Sequence, residues 1–195
     1  MKNQKKERAR KRILENAIAL VREKGISNLT IEEVTKRSDI AKGTFYLSFQ
    51  NKEEMEQEMI GRLSYELIRD VFVEARSHEE APIDRFIYFL DTLIRHFEQD
   101  QFLLRFLSDN LSLGLMNKID QSLDREEWGK ESEKILVTFQ EDFGYSSVKE
   151  AKAELYLLIE LVGRVCRNAI LDQYPTSMEE IKPLLYRNVR KMLAV

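Results

Sequence analysis

The sequence predicts an all-α protein, and three observations carry that prediction. Apolar residues recur at three- and four-residue spacing along nearly the whole chain. Only seven glycines and three prolines interrupt 195 residues, and every proline lies beyond residue 81. Near the amino terminus, two short helical segments flank a tight polar break, the pattern of a helix-turn-helix. The expected architecture is a three-helix amino-terminal domain, residues 1–52, followed by a carboxy-terminal domain of about six helices, residues 53–195.

A first helix spans about Lys6 to Lys24, with Ile13, Leu14, Ala17, Ile18 and Val21 on one face and Gly25 as its stop. Thr30 is placed to cap a second helix, Ile31 to Arg37, because its hydroxyl can accept from free first-turn amides. Ile31 and Val34 give that helix an apolar side. Ser38-Asp39-Ile40 then forms a polar break with one apolar plug. The third helix, about Lys42 to Phe49, starts with small and hydroxyl-bearing residues, which suits close approach to another surface. Insertion into a DNA major groove is such an approach.

The fourth helix runs from about Lys52 to Ser77, with Met55, Met59, Leu63, Leu67 and Val71 aligned, and would connect the two domains. Pro82 opens a fifth, whose apolar side is Phe86, Phe89, Leu90, Leu93, Ile94 and Phe97. A short helix covers Gln101 to Leu107, and a loop or broken helix is expected over Leu111 to Gly129. Another helix runs from about Glu131 to Phe143, ending at Gly144. The longest late helix spans about Ser147 to Gln173, stopped by Pro175. A last helix covers Met178 to Leu193, in which Pro183 either starts the helix or kinks it.

The total charge of −3 conceals a division. Residues 1–52 hold 13 Lys and Arg against 6 Asp and Glu, and the remainder holds 18 against 28. A basic head on an acidic body fits a phosphate-binding module joined to a different working part. The run Lys5 to Arg12, with Lys6 and Arg8 in it, reads as an electrostatic arm. The first dozen residues lack the apolar core and cleavage site of a signal peptide. No segment approaches the roughly 20 apolar residues needed to span a bilayer, so no membrane partner is expected. The single cysteine, Cys166, excludes an internal disulfide and fits a reducing cytoplasm. No nucleophile–base pairing, Gly-rich phosphate loop, H-E-x-x-H or cysteine–histidine cluster occurs, and His78 and His96 lie too far apart for a local metal motif. The expectation is no enzyme, no metal and no cofactor.

Three ordered blocks sharpen the head. Thr30-Ile31-Glu32-Glu33-Val34, then Ile40-Ala41-Lys42-Gly43-Thr44-Phe45-Tyr46, then Phe49 and Lys52-Glu53-Glu54-Met55 resemble the amino-terminal domain of the TetR family. Those proteins are one-component bacterial transcription regulators. The likeness runs without gaps over roughly the first 60 residues. It implies that Thr30, Thr44, Tyr46 and Lys52 meet phosphates and that Gly43 clears the approach to the groove. Lys42 is the candidate for reading a guanine edge, while Leu47 touches a thymine methyl or packs on sugar. Phe45 and Phe49 read as core plugs. The chain departs from the family pattern at Asp39, where glycine is common, at Ala41, where serine is frequent, and at Ser48, a shorter contact than the usual tyrosine or histidine.

The resemblance also implies a homodimer built on the last two helices. Leu155, Leu158, Ile159, Val162, Cys166, Leu185 and Val189 are the candidate interface, the alternative being that they are monomer core. It further implies a cavity for a small, largely apolar effector. Tyr88, Phe89, His96, Phe102, Phe106, Trp128, Phe139 and Tyr156 supply aromatics for it, and Arg105, Asn110 and Arg164 could orient a polar group, although each reads first as plain core or as a salt-bridge partner. The implied function is a cytoplasmic, nucleoid-associated repressor that binds a near-palindromic operator in duplex DNA and is released by its ligand. A TetR-like activator, or a DNA-bound factor in another process, is the alternative. A thiol sensor at Cys166 is a further reading, against which its apolar neighbours argue.

Overall fold

In a computed structural model the structure describes residues 2–77, 81–107 and 128–193. These residues form nine α-helices, one 3-10 turn and one π turn, with no strand among them. The chain divides into two compact units, Met1–Ile60 and Gly61–Val195.

The first unit contains α1 (Lys2–Lys24), α2 (Ile31–Arg37), α3 (Lys42–Ser48) and the start of α4 (Lys52–Arg76). Helix α1 begins four residues earlier than the periodicity suggests, because Lys, Gln, Glu and Arg are good helix formers even without an apolar stripe. It ends at Gly25, whose φ of 81° is open to glycine, and the Gly25 amide closes the last turn on the Val21 carbonyl at 2.8 Å. Thr30 caps α2 as expected: its hydroxyl accepts from the Glu33 amide at 3.3 Å. Ile13, Ala17, Val34, Phe45, Phe49, Met55 and Met59 close the core of this unit, each essentially without exposure. Met55 and Met59 are why the first two turns of α4 belong to this unit. The fold therefore extends past residue 52.

The second unit holds the rest of α4 with α5 (Pro82–Gln99), α6 (Gln101–Leu107), α7 (Trp128–Asp142), α8 (Val148–Arg167) and α9 (Met178–Leu193). Pro82 occupies the first turn of α5, where its missing amide costs no helix bond. Asp100 caps α6 through the Leu103 amide at 3.0 Å, and Ser147 caps α8 through the Glu150 amide at 3.2 Å. Gly144, with φ of 66°, ends the turn after α7. Ile94, Phe97, Leu104, Leu107, Leu158, Cys166 and Val189 lie at the centre of its core.

Two expectations change, and a third goes largely untested. Helix α8 stops at Arg167 rather than Gln173: the chain widens into a π turn over Asn168–Asp172 and leaves it through Gln173, at φ 50°. Helix α9 runs through Pro183 and does not start there, so Glu179 lacks the amide that would normally pair with its carbonyl. The loop expected over Leu111 to Gly129 lies mostly outside the described residues, and its last two residues open α7.

Candidate nucleic-acid interface and ligand cavity

Helix α3 is amphipathic across a single turn. Phe45 points inward and meets Phe49 at 5.6 Å and Tyr46 edge-on at 5.4 Å between ring centroids. Lys42, Gly43, Tyr46 and Leu47 face outward, Tyr46 at 50% and Leu47 at 73% exposure. A leucine that open is not core, and an aromatic hydroxyl, an ammonium and a methyl-rich tip side by side can meet phosphate and base edges. A Cβ placed on Gly43 would meet nothing within 4 Å, so the protein's own packing does not require glycine there. Thr30 is exposed at the start of α2, and Thr44 is half-buried. Lys6 and Arg8 are exposed on α1. Lys52 is half-buried at the start of α4 and pairs with Glu56 at 3.1 Å.

Ser48 departs from this set. It is 5% exposed and its hydroxyl donates to the Thr44 carbonyl at 3.2 Å, so it is an internal residue and leaves the list of DNA contacts. Asp39 takes the left-handed conformation expected of the turn, at φ 49°. Ala41 stands at the start of α3 without a side-chain cap. Arg10, read with the basic arm, is buried and bonded to Glu54, Glu58 and the Ser48 carbonyl. Helical register could have shown this, because Arg10 lies three, four and seven residues before Ile13, Leu14 and Ala17 and so on the apolar face.

The second unit encloses a cavity of about 360 Å³. Its walls are mainly apolar: Phe72, Phe86, Phe89, Phe139 and Phe143, with Ile68, Leu90, Leu93, Leu158, Ile159 and Val162. Phe86 meets Phe139 at 5.7 Å and Phe143 at 5.8 Å. Charged groups gather where α4 ends, α5 begins and α7 ends, at Arg76, Arg85, Glu141 and Asp142. Arg85 donates to Asp142 at 2.8 Å, tying α5 to α7 there. Such a space accepts an apolar body with a polar end.

Of the residues proposed from sequence for this cavity, Phe89 and Phe139 line it. Tyr88 faces elsewhere and donates to Glu74 at 2.8 Å. His96, Arg105 and Tyr156 are exposed, Phe102 stacks on the buried Phe106 at 5.7 Å, and Arg164 is exposed on α8; none belongs to its wall. Asn110 and the Trp128 side chain lie outside the described residues.

The dimer candidates also shift. Leu155, Leu158, Val162, Cys166 and Val189 are buried by the chain's own helices, Ile159 faces the cavity, and Leu185, though buried, lines a groove on α8 and α9. That groove is lined by Leu161, Val165, Ile181, Leu184, Leu185, Asn188, Lys191 and Met192, and Leu157 on α8 is exposed as well.

Residues 13–59 match the family model for bacterial regulatory proteins of the tetR family. This segment is of the TetR-family DNA-binding type. No curated protein sequence matches this chain. Its fold is shared, at low identity, by solved TetR-family structures. A TetR transcriptional regulator from Rhodococcus sp. RHA1 is 22% identical, with 96% of this chain and 97% of that one covered at a TM-score of 0.61. FadR of Thermus thermophilus, a TetR-family repressor solved with lauroyl-CoA, is 17% identical over 94% of this chain and 93% of its own, at 0.59. The fatty acid degradation regulator FadR of Bacillus halodurans is 14% identical over 95% of both chains, at 0.55. The match over residues 13–59 spans α2 and α3, which make the helix-turn-helix of that segment. Among the described residues no helix is long and apolar enough to cross a membrane.

Proposed function

We propose that this regulator is a homodimeric repressor. In this reading it holds a near-palindromic operator through two copies of α3 and lets go when a small, largely apolar ligand fills the cavity of the second unit. The observation that carries it is the outward face of α3, where Lys42, Tyr46 and Leu47 stand uncovered beside a glycine that the packing does not need. Lys42 reads a base edge, while Tyr46, Thr30, Thr44 and Lys52 hold phosphates. The groove on α8 and α9 supports pairing with a second copy, since an apolar surface left there is otherwise wetted. Two-fold pairing would set the recognition helices about 34–36 Å apart, one turn of duplex.

The cavity supports the ligand half of the reading. Its five phenylalanines and the charge at one end suit an amphipathic molecule, and the Thermus thermophilus neighbour was solved with such a molecule, lauroyl-CoA. Selection of duplexes from a random pool by the purified protein tests the first half. Enrichment of a two-fold symmetric sequence is expected, and a pool that stays random sinks it. Adding amphipathic acyl compounds to the selected complex tests the second half, with release expected.

A further inference from the structure

The basic run at the start of α1 divides by direction. Lys6 and Arg8 are exposed, whereas Arg10 is 9% exposed and turned inward. Its Nη1 donates to the carbonyl of Ser48, the last residue of α3. Its Nε donates to Glu58 at 2.9 Å and its Nη2 to Glu54 at 3.2 Å, both on α4, and its guanidinium sits 4.2 Å from the centre of the Phe49 ring. Arg12 does the matching job at the other end. Its Nη2 donates to the Asp39 carbonyl at 3.1 Å and stands 3.6 Å from the Asp39 carboxylate. Asp39 is the left-handed residue of the turn leading into α3.

Helix α3 needs outside support. It has seven residues, no side-chain cap at Ala41 and no basic residue in its last turn. A helix that short does not hold its own shape, and its last carbonyls have no partner within it. The Arg10 fork supplies one of those partners and ties it to α4. Burial works against the Arg10 charge, but hydrogen bonds and opposite charge from Glu58 and Glu54 outweigh burial and push its pKa up. The arginine therefore stays charged where it sits, with its fork spent on protein groups.

We propose that Arg10 and Arg12 are positioning residues for DNA binding, bracketing α3 at its two ends and setting its attitude without touching the duplex. The proposal rests on the DNA-binding reading above. Asp39 contributes something particular to this chain, because its carboxylate gives Arg12 a second partner that glycine at this place would not. The bracket also separates two kinds of arginine in one run. Cations that meet phosphate release counterions and steepen the salt dependence of binding, and a cation already paired inside the protein does not.

The test uses the full-length protein with Arg10→Lys, which keeps the charge and loses the fork, and Arg12→Gln. Hydrogen exchange is followed over residues 39–49, and binding is followed across a salt series on a duplex enriched by the wild type and on its scrambled counterpart. Both variants should exchange faster across the turn and α3, with α2 unchanged. Specific affinity should fall by about tenfold for Arg10→Lys and about threefold for Arg12→Gln, at an unaltered salt slope and unaltered binding to scrambled duplex. A slope shallower by about one unit would place the arginine on phosphate and overturn the proposal. Exchange of α3 at the wild-type rate in Arg10→Lys would overturn it too. Should Arg10→Lys fail to fold, the same readouts on Arg12→Gln, a half-exposed site, decide the matter. If the wild type enriches no duplex, the DNA-binding reading fails while hydrogen exchange still decides whether the bracket holds α3.

Discussion

Tyr186 donates its phenolic hydrogen to Asp91 at 2.7 Å, joining α9 to α5 across 95 residues of sequence. Lys182 approaches the same carboxylate at 3.3 Å and Arg95 at 3.1 Å, so one aspartate gathers three donors. Burial alone would raise the Asp91 pKa, but Tyr186, Lys182 and Arg95 bring it below the usual range. Burial and the Asp91 hydrogen bond together push the Tyr186 phenol well up, so it stays a donor at any ordinary pH.

The sign of the pH effect follows from the lowered carboxyl. A group whose pKa is lower folded than unfolded stabilises the fold above its unfolded value, about 3.9, and that contribution is lost as pH falls through the folded value. Asp91→Asn should therefore destabilise the protein at neutral pH and flatten its loss of stability between about pH 5 and 3. Tyr186→Phe should lower stability by about 1 kcal/mol with the carboxylate still paired to two cations. Urea unfolding at a series of pH values checks both, and an Asp91→Asn curve parallel to wild type counts against this account.

Cys166 is fully buried in α8, and burial, with a smaller push from Glu98, raises its thiol to about 12. The thiolate is the reactive form, so at neutral pH this cysteine should be inert. A disulfide reagent should label it only at the rate of unfolding, with one equivalent taken up in denaturant. Mild peroxide should leave DNA binding unchanged. Rapid labelling of the native protein would revive the thiol-sensor reading.

The cavity gives a packing prediction and a binding prediction. Phe139 meets Phe86, Phe143 and Tyr145 at 5.7, 5.0 and 5.5 Å, so Phe139→Ala should lower stability by about 3 kcal/mol in denaturant titration. Ile159 lines the cavity while half-exposed, so a larger side chain there can fill it without crushing the core. Ile159→Trp should abolish the fluorescence gain of an apolar dye such as anilinonaphthalene sulfonate and leave DNA affinity intact. Dye binding at wild-type strength in that variant would show that the dye sits elsewhere.

These sites differ in how far local sequence could reveal them. Thr30, Gly25 and the alternation of Phe45 and Phe49 with Tyr46 and Leu47 are short-range signals, and the head was readable from them. Arg10 was legible in principle, since its register put it on the apolar face; counting charge without direction hid it. The cavity wall was not legible, because adjacent residues diverge by about 100° around a helix. Phe89 points in while Tyr88 reaches Glu74, and only the packing of α4, α5 and α7 selects between them. On α8 the apolar stripe is wider than one face. Leu158 and Val162 pack inside while Leu157, Leu161 and Val165 turn out, and sequence alone merges the two sets.

The proposed DNA face yields a prediction in which neighbouring residues behave oppositely. Lys52 is half-buried and held by Glu56, yet its ammonium lies at the start of α4, where a phosphate can replace the carboxylate as partner. Lys52→Ala should weaken binding to specific and scrambled duplex alike and make the salt slope shallower by about one unit. Ser48 sits on α3 itself, but its hydroxyl is spent on the Thr44 carbonyl, and Ser48→Ala should leave the slope unchanged. Tyr46→Phe removes an exposed hydroxyl and should weaken binding with little change in slope, because a neutral donor releases no counterion. Binding isotherms at four or five salt concentrations separate the three variants. A Lys52→Ala slope equal to wild type would take Lys52 off the phosphate, leaving Lys42 and the exposed lysine and arginine of α1 to carry the electrostatic part.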